Sequence, residues 1–109
     1  MANTIKKVQA ALTTSLADIY TPGAGVEAVI FDGTVANIDT GTPTTEQVTA
    51  EVEVSDGSTT YTDILVDVDV PPKTSLRLPK QALNQGESFR AKASANSKLE
   101  IVMSILEIT

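Results

Sequence analysis

The 109-residue chain contains no cysteine, no histidine and no tryptophan, and its aromatic residues are two tyrosines and two phenylalanines. Without cysteine there is neither a disulfide framework nor a thiolate metal site, so stability has to come from packing and sheet hydrogen bonds. Without histidine, the abundant serines and threonines lack the usual base that would activate them, and no G-x-S-x-G turn is present. Tyr20, Phe31, Tyr61 and Phe89 are too few to build a sugar-stacking platform, which disfavours a glycosidase and a carbohydrate-binding module. Basic residues are scarce as well: 8 Lys and Arg against 14 Asp and Glu give a net charge of −6, the wrong sign for a phosphate backbone. No uninterrupted apolar run approaches the ~20 residues of a membrane helix. Residues 1–9 carry Lys6 and Lys7 but not the apolar run of a secretory signal. The expectation is a soluble, non-enzymatic chain with no cofactor, no metal, no nucleic acid and no membrane partner.

What the chain does contain, from Val26 to Ile108, is a succession of short segments that alternate apolar with polar residues. Val48, Ala50, Val52 and Val54 fall on one face of such a segment, with Gln47, Thr49, Glu51 and Glu53 on the other, as in a strand with one wet side. Turn signals separate the segments. They are Pro22-Gly23-Ala24-Gly25, the Thr, Gly and Pro loop at residues 39–43, Ser55-Asp56-Gly57-Ser58, Pro71-Pro72, Asn84-Gln85-Gly86 and Asn96. Asp32-Gly33, inside the segment at residues 26–38, marks a bulge or a bend. About seven to eight short strands spaced in this way predict an all-β, antiparallel sandwich of jelly-roll or immunoglobulin-like type, a single domain at residues 17–109. Phe31 and Phe89 are expected in its core.

Residues 1–16 mix Lys, Gln, Ala and Thr without a sustained period, although Ile5, Val8 and Leu12 are helically spaced, and they read as an extended or partly helical N-terminal arm. The last strand, residues 99–108, is apolar on both faces. Leu99, Ile101, Met103 and Ile105 lie on one side, and Val102, Leu106 and Ile108 on the other. Such a strand is either central and covered by the arm or part of a subunit interface. Ile5, Val8, Leu12, Val102, Leu106 and Ile108 are therefore the candidate interface residues.

The most conspicuous polar cluster is acidic. Asp63, Asp67 and Asp69 lie on one strand, and Glu51 and Glu53 on the strand predicted to pair with it. Alternate positions along a strand do not converge on a hard cation as a wrapping loop does, so a solvated face paired in part with Arg90 or Lys92 is the expected arrangement.

The segments ALTTSLADIYTPGAG, VIFDGTVANIDT, VPPKTSLRL and LNQGESFRAKASANSKLEIVMSILEIT together resemble a group of small proteins encoded among the structural genes of tailed bacteriophages. The resemblance runs from about Ala11 to Thr109 and involves no catalytic motif. It implies a β-sandwich virion component, present in many copies and assembled in the host cytoplasm. Such a component would be a homo-oligomer, with a trimer the expected order, in contact with the major capsid protein or with neck and tail proteins. Capsid decoration or cementing is one role this implies, and a neck, collar or tail adaptor that anchors fibres is another. Asp67 and Asp69 make this chain more acidic than the pattern it resembles.

Overall fold

A computed structural model describes residues 3–38, 48–56 and 61–109. Among these residues the chain is entirely β, with nine strands: β1 (Asn3–Ala11), β2 (Ala17–Tyr20), β3 (Glu27–Asn37), β4 (Val48–Ser55), β5 (Tyr61–Val70), β6 (Ser75–Arg77), β7 (Gln81–Leu83), β8 (Ser88–Ala93) and β9 (Leu99–Ile108). They form two antiparallel sheets packed as a sandwich. The first has the order β1-β9-β3-β6, with β7 also paired to β3, and the second has the order β2-β8-β4-β5. The expected fold class is the observed one. The loop at residues 39–43 and the tip of the β4–β5 turn lie outside the described residues.

The alternation in the sequence becomes the two faces of each sheet. Leu99, Ile101, Met103 and Ile105 of β9, Ile30 and Val35 of β3, Val48, Ala50 and Val52 of β4, and Phe89, Ala91 and Ala93 of β8 fill the space between the sheets. At roughly 1.5–3 kcal/mol for each large side chain removed from water, this layer is the main source of stability.

Residues expected to form an arm instead extend the first sheet. β1 runs antiparallel to β9 over nine residues, from Asn3 opposite Ile108 to Ala11 opposite Glu100, and the chain then crosses to the second sheet. The helical spacing of Ile5, Val8 and Leu12 is not used, because the ladder to β9 supplies hydrogen bonds that a short isolated helix would have to find by itself. β9 is accordingly central, between β1 and β3, but the arm covers its edge and not its outer face. Only one of its two apolar faces is buried.

A further departure comes from bulge chemistry. The irregularity in β3 falls between Ile30 and Asp32, so Phe31 is the extra residue. It is turned outward at 39% exposure rather than into the core expected for it. Gly33, the other half of the Asp-Gly signal, serves close packing: a Cβ there would lie 2.9 Å from Leu78 Cδ1. The segment at residues 75–83 yields two short strands because Pro79 interrupts it.

Directional contacts tie the sheets together at both ends. Asn37, buried at the end of β3, donates from Nδ2 to the Val70 carbonyl at 2.8 Å, and its backbone N–H reaches Thr74 O at 2.9 Å. At the other end, the Tyr20 hydroxyl on β2 donates to Glu107 on β9 at 2.5 Å, with Lys6 Nζ 3.9 Å from the same carboxylate oxygen.

Candidate interaction surface

Strand register sets out what the first sheet shows on its outside. Ile5 lies opposite Leu106, Leu106 opposite Val29, and Val29 opposite Ala82, so one apolar row crosses β1, β9, β3 and β7. Ile108 lies in the next row between Asn3 and Glu27, and Val102 lies between Gln9 and Thr34. The row of Lys7, Ser104 and Asp32 separates Leu106 from Val102, and Arg77 Nη1 reaches Asp32 Oδ1 at 3.4 Å. Ile5 is 73% exposed and Val102 40%, while Val29, Leu106 and Ile108 are half-buried by their neighbours on the sheet. A shallow, open groove of about 320 Å³ runs along this face between Gln9, Ala11, Glu100 and Val102.

The outside of the second sheet is chemically different. Arg90 on β8 lies between two carboxylates, with Nε 3.1 Å from Asp18 Oδ1 and Nη1 3.2 Å from Glu53 Oε1. The Nε contact is an ion pair without the alignment of a hydrogen bond. The guanidinium carbon is 5.2 Å from the Tyr61 ring centroid, a cation–π distance. Glu53, only 8% exposed, owes its tolerated burial to Arg90. Lys92 Nζ pairs with Glu51 at 3.5 Å. Asp63, Asp67 and Asp69 on β5 are exposed. The three aspartates thus face solvent while Glu53 and Glu51 pair with Arg90 and Lys92, and among the described residues no three His, Cys, Asp or Glu side chains gather in one place. A small open groove of about 200 Å³ lies here between Thr14, Thr49, Glu51, Asp67 and Lys92, below the usual size of a small-molecule site.

The six residues picked out in the sequence as interface candidates separate into two groups. Ile5, Val102, Leu106 and Ile108 share the outer face of the first sheet. Leu12, 1% exposed, is a core residue, and Val8 packs against the core from β1, so neither is on the surface row. The residues not anticipated are Val29, Phe31 and Ala82. Val29 and Ala82 were readable only once the pairing of β3 and β7 was known, and Phe31 only once the bulge was placed. The four aromatic side chains do not form a platform: Tyr20 and Phe89 are buried, and Tyr61 lies beside Arg90 on the second sheet, apart from Phe31 on the first.

The same sandwich occurs in phage and bacterial surface assemblies. A chain from the Bacillus endospore appendages, described as disulfide-linked pili, superposes with a TM-score of 0.58 and 17% identity over 99% of this chain and 87% of that one. A chain of the acid-stable capsid structure of Helicobacter pylori bacteriophage KHP30 gives a TM-score of 0.53 and 11% identity over 100% of this chain and 89% of that one. These likenesses are of fold. With no cysteine, this chain cannot link subunits by disulfides. No protein-family model matches the chain, and no curated protein matches it in sequence.

Proposed function

We propose that this protein is a non-enzymatic structural subunit of a tailed-bacteriophage virion, a decoration or cement protein held on the capsid by the outer face of its first sheet. The observation that carries the reading is the division between faces: an apolar row through Ile5, Leu106 and Val29 on one side of the sandwich, and an acidic, ion-paired surface on the other. A sandwich with one apolar outer face and no cluster of reactive side chains suits a subunit that binds a protein surface. The sequence resemblance to phage structural proteins and the fold shared with a chain of a phage capsid structure support placing that surface in a virion. The subunit is a homo-oligomer, meets the major capsid protein, and assembles in the bacterial cytoplasm without a cofactor.

The fold likeness to an appendage pilus chain favours a second reading, a neck, collar or tail adaptor to which fibres attach. Copy number separates the two. Purified particles are expected to contain this chain at one per capsid protein or at a small integer ratio. A few to a few dozen copies per particle would move it to the neck or tail, and its absence from particles would overturn the virion reading.

A further inference from the structure

The outer edges of the two sheets are not alike. β2 is four residues long with a register shift at Ile19, and β6 and β7 are three residues each, separated by Pro79. β5 carries two register irregularities, Asp67 at φ 46°, and the charges of Asp63 and Asp69. Short strands, bulges, proline and charge are the means by which a sheet edge is kept from pairing with another chain. β1 has none of the first three: it runs nine residues in unbroken register with β9 and contains no proline.

The direction of its backbone groups follows from one hydrogen bond. Leu12 N–H donates to Leu99 O at 2.9 Å, one step beyond the pair of Ala11 and Glu100. Because an antiparallel ladder alternates, Thr4, Lys6, Val8 and Ala10 also direct their N–H and C=O groups to β9. Asn3, Ile5, Lys7, Gln9 and Ala11 direct theirs to the open edge, where no strand pairs with them among the described residues.

We propose that this edge pairs antiparallel with β1 of a second copy, with Ile5 opposite Ile5, so that two first sheets join into one across a two-fold axis. Charge and exposure select that register. Centring the pair on Lys6 or Lys7 sets like charges directly opposite, which destabilises a sheet. Centring it on Val8 avoids this but leaves Ile5 facing only Ala11. Centring it on Ile5 places Lys6 opposite the partner's Thr4 and Lys7 opposite the partner's Asn3. It also covers the most exposed large apolar side chain of the strand. The outward backbone groups of Asn3, Ile5 and Lys7 then meet their counterparts in about six hydrogen bonds. The row of Ala82, Val29, Leu106 and Ile5 continues without a break into its copy. The assembly unit is thus a dimer in place of the trimer expected from the sequence. The pairing rests on edge geometry alone, so absence of the chain from virions would leave it standing.

The chain's lack of cysteine gives a direct test. A hydrogen-bonded antiparallel pair sets its Cα atoms about 5.5 Å apart, within disulfide reach. In a glutathione redox buffer, Ile5→Cys is expected to form a disulfide-linked dimer at least about tenfold faster than Gln9→Cys, which lies on the same face of the same strand away from the axis. Sedimentation at about 100 μM, a concentration that populates any complex of micromolar Kd, is expected to show a wild-type dimer. Lys7→Pro, which removes an outward N–H but no bond to β9, is expected to be a folded monomer. A wild-type monomer or trimer, equal cross-linking rates for the two cysteine variants, or a folded Lys7→Pro dimer would each overturn the proposal.

Discussion

Phe89 and Phe31 lie on similar alternating segments, yet the structure gives them opposite environments, and truncating each in turn tests the bulge that separates them. Phe89 is 1% exposed on the inner face of β8, opposite Val54, in a layer closed by Tyr20 and the β9 side chains. Phe89→Ala removes a buried ring and leaves a void that rigid strands on both sides cannot collapse, at a cost of about 3–5 kcal/mol. Phe31 is 39% exposed on the outer face, where water fills the space left by truncation. Phe31→Ala loses the transfer contribution without the cavity contribution, about 1–2 kcal/mol. Urea unfolding followed by far-ultraviolet circular dichroism, which needs no tryptophan, should separate the two midpoints with little change in slope. In thermal melts the gap corresponds to roughly 5–15 °C. If Phe89→Ala fails to fold, Phe89→Leu still gives the order, because a smaller void remains in the same place. Equal losses, or a larger loss for Phe31→Ala, would mean that Phe31 points inward and that the register of β3 against β9 beyond Ile30 is misassigned.

Burial first, then the hydrogen bond to Glu107 and its negative charge, push the Tyr20 hydroxyl well above the usual tyrosine range. The folded protein therefore keeps a proton that the unfolded chain releases above about pH 10, and the stability this gives is complete below pH 10 and declines above it. Wild type should lose up to about 1.4 kcal/mol per pH unit more than Tyr20→Phe between pH 10 and 12 in urea titrations, and parallel pH curves would refute the coupling. Ile101→Asp and Met103→Asp each place an unpaired carboxylate between the sheets at a cost of several kcal/mol, so neither should give a cooperative melt, and a soluble, cooperatively melting variant would refute the placement of β9. At Asp67, whose φ of 46° suits glycine and disfavours a β-branched residue, Asp67→Gly should remain within about 0.5 kcal/mol of wild type. Asp67→Val should lose about 1–2 kcal/mol, and similar melts for the two would argue against the left-handed turn there.

Most of the sandwich was legible because its strands are half-buried. Val48, Ala50 and Val52 alternate with Thr49, Glu51 and Glu53, and a period of two has only one structural meaning over that length. The turns at residues 22–25 and 84–86 were legible because Gly25 and Gly86 take positive φ. β1 was not, since Asn3–Ala11 is polar or small at most positions and is held by the edge of β9 rather than by a buried face of its own. The bulge was sensed at Asp32-Gly33 but displaced, since an Asp-Gly pair marks a departure from regular pairing without saying which residue is the extra one. Strict alternation counted back from Val35 puts Phe31 inward, but the extra residue breaks that count, so Phe31 follows inward-facing Ile30 and turns out. Of the interaction face, the part on β9 could be read from the sequence, as could Ile5, because a strand with apolar residues on both sides leaves one side to explain. The rest depends on which strands lie beside β9, and pairing order is long-range information that no local pattern carries.

The contacts at the two ends of β3 and β9 have a mechanical meaning. Burial is indifferent to direction, so against sliding the apolar layers rely on the interlocking of their side chains and on directional contacts between the sheets. The Asn37 amide on Val70 O and the Tyr20 hydroxyl on Glu107 act as pins between the sheets, one near the start of β9 and one near its end. A shearing load applied to one outer face stretches both, together with the chain segments that cross between the sheets. A force received on the apolar side therefore reaches the acidic side through a block of fixed shape, as a tile passes load to whatever is laid against it.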